Sequence, residues 1–157
     1  KFYKCLPGKN SLFSNKNFHL TLKFLGEINE DKLHEIKKRL SKIKFNSLKI
    51  RLNKIGVFPN ENEARVIWVD LSPGEKLTEL QKNIDSEFLD IFSKDQDFKV
   101  YITLARIKLI KDKEEFKKNL KIEIDKKEFE INEFCLVKST LSKDGSKYEI
   151  LERFKLN

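Results

Sequence analysis

The sequence predicts an α+β protein of two pseudo-symmetric lobes, and three observations carry that prediction. Strand-like alternation of apolar and polar residues is interleaved with runs in which apolar residues recur every three or four positions. The stretch FHLTLKFLG at 18–26 returns as VYITLARIK at 100–108, with Tyr101 standing 82 positions after His19. Each copy is followed by elements in the same order: a Thr-bearing strand, a helix with a Lys-rich face, then strand and strand. A period of that length exceeds a solenoid repeat and suits two lobes related by a pseudo-twofold axis.

Taken in order, HLTLKFLGEI is the first strand. NEDKLHEIKKRLSKI follows it with Leu33, Ile36, Leu40 and Ile43 at helical spacing, and Asn29 or Asp31 can cap its start. His34 lies about 100° off that stripe and is read as a surface residue. SLKIRLNKIGVFP alternates through Leu48, Ile50 and Leu52, then passes Gly56 to Pro59, and makes one or two strands. ARVIWVDLSPG at 64–74 is a further strand ended by a Pro-Gly turn. From Glu75 to Ser93, Leu77, Leu80, Ile84, Phe88, Leu89 and Ile91 mark a second helix.

The second copy opens with the strand YITLARIKLI. A short helix DKEEFKKNL, one or two strands in KEFEINEFCLVKS, a KDGSK hairpin turn and the closing strand YEILERFKL complete it. A strand and a long helix precede the second Thr strand, whereas KFYKCLPGKNSLFSNKN alone precedes the first. The chain also contains no methionine. A strand and most of a helix are therefore expected upstream of Lys1.

The composition is globular: hydrophobic residues make up 39% and charged residues 37%, with 13 Phe among the former. No apolar run approaches the ~20 residues that span a bilayer, and no secretory leader is recognisable, so a soluble cytoplasmic protein without a membrane partner is expected. Cys5 and Cys135 are far apart and outside any CxxC or Cys/His cluster, which predicts free thiols and no metal. The net charge of +8 favours a polyanionic partner such as RNA. A Lys/Glu-rich surface of thermophile type accounts for it equally well.

Successive side chains alternate along a strand, so His19, Thr21 and Lys23 should share one face, with Leu20, Leu22 and Phe24 on the other. Tyr101 and Thr103 share a face likewise. Were the two faces to meet across a groove, each would bring a proton-transfer group and a hydroxyl. That suits a phosphodiester, because hydroxyls can bind the non-bridging oxygens while groups on opposite sides give and take protons. A lone histidine in an apolar strand is more often packed than catalytic. The repeat argues otherwise, since His19 and Tyr101 are equivalent and each precedes a threonine by two.

NFHLTLKFLGEI, IGVFPNENEARVIWVDL, YITLARIK and LVKSTLSKDGSKYEIL, in that order, resemble the 2H phosphoesterases, in the branch of RNA 2',3'-cyclic phosphodiesterases also called 2'-5' RNA ligases. The resemblance implies one bilobal domain over residues 1–157, in which two antiparallel sheets flank a central cleft with helices outside. It implies two facing H-x-T-x motifs, with no metal or nucleotide cofactor. The implied reaction opens a 2',3'-cyclic phosphate at an RNA end to a 2'-phosphomonoester, or joins that end to a 5'-hydroxyl. The implied partners are RNA ends, tRNA fragments among them, and the chain is expected to act as a monomer. By position, the first motif falls on His19 and Thr21, the second on Tyr101 and Thr103, and the phosphate-binding arginine on Arg106.

Two departures bear on mechanism. Strict alternation would place Arg106 opposite Tyr101 and Thr103, so its role requires a local bulge. Tyr101 stands where the family pattern has its second histidine. A phenol with an ordinary pKa of ~10 can donate a proton but is a poor base at neutral pH, which assigns the base to His19 and the acid to Tyr101. The alternative is a catalytically impaired module that binds RNA ends. Small cyclic nucleotides or nucleotide-sugars are further candidate substrates.

Overall fold

The computed structural model describes residues 2–5, 18–94, 97–121, 124, 127–143 and 145–157. Its strands are β1 (Phe2–Cys5), β2 (His19–Thr21), β3 (Leu48–Phe58), β4 (Val66–Ser72), β5 (Tyr101–Arg106), β6 (Glu128–Ile131), β7 (Glu133–Ser142) and β8 (Gly145–Lys155). The helices are α1 (Glu30–Leu40), α2 (Glu75–Glu87) and α3 (Lys113–Leu120). As the class prediction required, the strands form two antiparallel sheets, ordered β2-β1-β7-β8 and β5-β4-β3-β6.

The sheets do not correspond one to one with the repeats. In the first sheet β2 of the first copy lies with β7 and β8 of the second, while β5 and β6 of the second copy join β3 and β4 of the first. KEFEINEFCLVKS is divided between sheets, β6 in one and β7 in the other, and SLKIRLNKIGVFP is one long strand. The sequence reading placed the strand that precedes the first Thr strand upstream of Lys1. The structure forms β1 from Phe2–Cys5, which flanks β2 as β4 flanks β5. The expected KDGSK turn includes residue 144, which lies outside the described residues.

Local chemistry accounts for the helix ends. Asn29, rather than Asp31, caps α1 by accepting the Lys32 amide at 3.0 Å, and Asp112 caps α3 through the Glu115 amide at 2.9 Å. α2 stops at Glu87, short of the predicted Ser93. Phe88 enters the core there, so Leu89 is 56% exposed instead of joining the apolar stripe. His34 is exposed, as its helical position predicts.

One core runs between sheets and helices. Ile36 and Leu40 of α1, and Leu77, Leu80 and Ile84 of α2, pack with Leu20, Ile50, Val69, Ile102 and Phe134 from the sheets. Each buried aliphatic or aromatic side chain of this kind contributes about 1.5–3 kcal/mol. Arg39 ties the helices at the surface, donating to Glu35, to both Asp90 oxygens at 2.7 Å and to the Glu87 carbonyl at 2.9 Å. Those hydrogen bonds hold the Asp90 carboxyl below its ordinary range. No helix among the described residues is long and apolar enough to cross a membrane.

Candidate active site

β2 and β5 are edge strands of their respective sheets, and the two edges approach to within 8 Å between Cα atoms. The edge of each sheet is thereby covered by the other. Leu20 and Ile102 are buried at 1% and 2% exposure, which turns their neighbours to the opposite faces. His19 and Thr21, and likewise Tyr101 and Thr103, are half-buried on those faces.

The bulge that Arg106 requires is present. Thr103 pairs with Trp68 and Ala105 with Ile67, so two steps along β5 match one along β4 and Leu104 is the extra residue. Val66, Trp68 and Asp70 share one face of β4, and their partners are Arg106, Thr103 and Tyr101. Arg106 therefore lies on the face of Tyr101 and Thr103, exposed at the end of the strand. All five predicted site residues stand on two abutting strands.

Lys23 does not join them. β2 ends at Thr21, alternation ends with it, and Lys23 is 1% exposed while Phe24 is 57% exposed, the reverse of the predicted faces. The Lys23 ammonium donates to Asp85 of α2 and to the Ser93 carbonyl at 2.9 Å. An unpaired ammonium at that depth would be prohibitive, so the carboxylate on α2 dictates the turn of the chain.

Aromatic rings outside the predicted set buttress both His19 and Tyr101. Tyr148 of β8 packs against His19 with centroids 5.1 Å apart and planes at 66°. Phe58 meets Tyr101 edge-on at 5.3 Å, and Trp68 lies 6.1 Å from it. The signal was visible in β4, where Trp68 shares its strand parity with Asp70 rather than with the core residues Val69 and Leu71. Gly56 accommodates the indole, since a Cβ there would collide with the ring. Asp70, beside Tyr101, accepts the Lys54 amide at 2.9 Å and the Asn53 side chain at 3.2 Å.

Among the described residues no cluster of three His, Cys, Asp or Glu could hold a metal ion. A hollow of about 510 Å³ at the start of α2, lined by Gly74, Glu75, Thr78, Glu79, Lys82 and Val100, contains none of the site residues.

The LigT-like phosphoesterase profile matches this chain twice, over residues 8–68 and 69–148. The RNA 2',3'-cyclic phosphodiesterase of Methanocaldococcus jannaschii is 36% identical over 146 residues, covering 91% of this chain and 83% of the relative. That of Archaeoglobus fulgidus is 34% identical over 148 residues, covering 88% and 80%. Among solved structures, TT0787 of Thermus thermophilus superimposes with a TM-score of 0.75 at 28% identity, covering 88% of this chain and 77% of that one. E. coli LigT in complex with 3'-AMP has the same fold, with a TM-score of 0.70 at 23% identity and coverage of 92% and 80%.

Proposed function

The chain belongs to the LigT-like phosphoesterase family, and from that premise we propose that it is an RNA 2',3'-cyclic phosphodiesterase that leaves a 2'-phosphomonoester. His19 takes a proton from the attacking water, whose oxygen bonds to phosphorus. The bond from phosphorus to the 3'-oxygen breaks in line, and Tyr101 protonates that oxygen. Thr21, Thr103 and Arg106 bind the non-bridging oxygens, which carry the growing negative charge. Ring strain in the cyclic ester drives the step. A 5'-hydroxyl in place of water gives a 2'-5' linkage by the same proton transfers, without ATP.

The observation that carries this reading is the pair of abutting edge strands, each with a proton-transfer group two residues before a threonine. The bulge at Leu104 supports it further by adding a guanidinium on the same side. The reading includes metal-free catalysis by a monomer, because proton transfer and charge neutralisation are both assigned to side chains, and tRNA fragments in the cytoplasm as one source of cyclic ends.

Its test is turnover of a short RNA ending in a 2',3'-cyclic phosphate, in the presence of EDTA, by the wild type and by His19→Ala. The expected outcome is a 2'-phosphate product and a loss of roughly 10²- to 10⁴-fold in the variant. A wild type that binds this RNA without ever converting it would replace the enzyme with a module that holds RNA ends.

A further inference from the structure

β3 changes faces midway along its length. Leu48 and Ile50 are buried and Leu52 pairs with the core residue Leu71, so even positions point inward over the first half of the strand. Beyond Leu52 the parity reverses, because Ile55 pairs with the core residue Val69 and three steps along β3 match two along β4. Gly56 and Phe58 thereby come to lie opposite Trp68 and Val66, on the face that carries Thr103 and Arg106. Asn53 and Lys54 are the two residues that stand against one, and that one is Asp70.

The Asp70 side chain serves both of them. Its Oδ1 accepts the Lys54 amide at 2.9 Å, and its Oδ2 accepts the Asn53 side-chain amide at 3.2 Å. On its other flank Asp70 pairs with Tyr101. We propose that Asp70 is a positioning residue for the proton donor: its carboxylate pins the bulge in β3, and the bulge keeps Gly56 beneath the Trp68 indole and Phe58 edge-on to Tyr101.

The competing arrangement is a regular pairing of the same two strands. An extra residue breaks the ladder locally, and a slip of one residue sends every later side chain to the other face. In the regular pairing Phe58 would join Leu48 and Ile50 on the core side, Gly56 would leave the indole, and Tyr101 would lose the ring that sets its tilt. A carboxylate that accepts from both bulged residues stabilises only the bulged register. Its bonds are charge-assisted, and such bonds are roughly twice as strong as neutral ones.

The inference rests on Tyr101 as the acid of the proposed reaction, and two readouts test it. The first is single turnover, with enzyme in excess, of a short RNA ending in a 2',3'-cyclic phosphate. Asp70→Ala should lower the rate at saturation roughly 10- to 100-fold, the usual effect of a displaced reacting group, with half-saturation nearly unchanged. Asp70→Asn keeps an oxygen for the Lys54 amide and should recover most of the loss. In a Tyr101→Phe background Asp70→Ala should cost nothing further, because the two residues act as a unit. Asn53→Ala removes one bond at an exposed position. It should give the same pattern on a smaller scale, and it keeps the test available if Asp70→Ala does not fold.

The second readout is emission from Trp68, the only tryptophan in the chain. It should change in Asp70→Ala with the far-UV spectrum intact, and return in Asp70→Asn. Wild-type turnover by Asp70→Ala, or an equal loss with and without the Tyr101 hydroxyl, would overturn the positioning role. A rise in half-saturation alone would do the same, by making Asp70 a substrate contact. A wild type that never opens the cyclic ester would end the proposed reaction, and Trp68 emission would then decide by itself whether Asp70 holds the rings in place.

Discussion

At Tyr101 a phenol occupies the place of an imidazole, and the two differ in which direction they move a proton readily. If Tyr101 supplies the proton to the leaving 3'-oxygen, Tyr101→Phe removes it, and kcat should fall by roughly 10²- to 10⁴-fold with the fold intact. Tyr101→His should leave kcat nearly unchanged. A large gain in kcat from Tyr101→His would instead mean that the position is required as a base and that the roles are reversed. Lys23 shows the opposite case of a charged residue at work in the fold rather than the site. Asp85→Asn takes the Asp85 carboxylate away from its buried ammonium, and urea denaturation should report a loss of about 3–5 kcal/mol. Replacing both partners by apolar residues of similar volume should recover most of that loss. A conserved-volume double replacement as damaging as the single one would show that packing, not charge, sets the cost.

At the level of the element, the side chain that a strand presents depends on register as much as on residue identity. The odd spacing from Thr103 to Arg106 puts these residues on opposite faces of a regular strand. The unpaired Leu104 restores them to one face. Deleting Leu104 shortens the spacing from Thr103 to Arg106 to two, which a regular strand places on one face. The deletion should therefore keep Arg106 beside Thr103 and lower kcat/KM far less than Arg106→Ala, which should cost roughly 10- to 100-fold for the loss of a charged hydrogen-bonding group. Steady-state assays of the two variants side by side test this, with the far-UV spectrum as the control for folding. His19 and Tyr101 are buttressed in a related way, each by aromatic side chains from the other copy of the repeat: Tyr148 for His19, and Phe58 with Trp68 for Tyr101. Helix existence followed from spacing, and the start of α1 from the choice between Asn29 and Asp31; that Asn29 is the cap, and that Asp112 caps α3, is seen only in the structure. The early end of α2 did not follow from spacing, because the core can take Phe88 only by leaving Leu89 outside.

For the whole molecule, the exchange of strands between copies makes the repeat a unit of sequence and not a unit of folding. Neither sheet can form from one copy alone, so denaturation should be a single transition in which Trp68 emission, reporting the second sheet, and far-UV ellipticity coincide. Two separated transitions would mean that the sheets are stabilised independently. The duplication, the mixed helix and strand content, the buried stripes and the five candidate site residues were all legible in the sequence, because periodicity and repetition are properties of neighbours along the chain. Four matters were decided only in three dimensions: which strands share a sheet, that Phe2–Cys5 flanks His19, that Lys23 turns inward to Asp85, and that Arg106 turns toward Thr103. Each depends on a partner far away in the chain or on a one-residue slip in pairing, and the free energy of either is set by what the fold brings alongside.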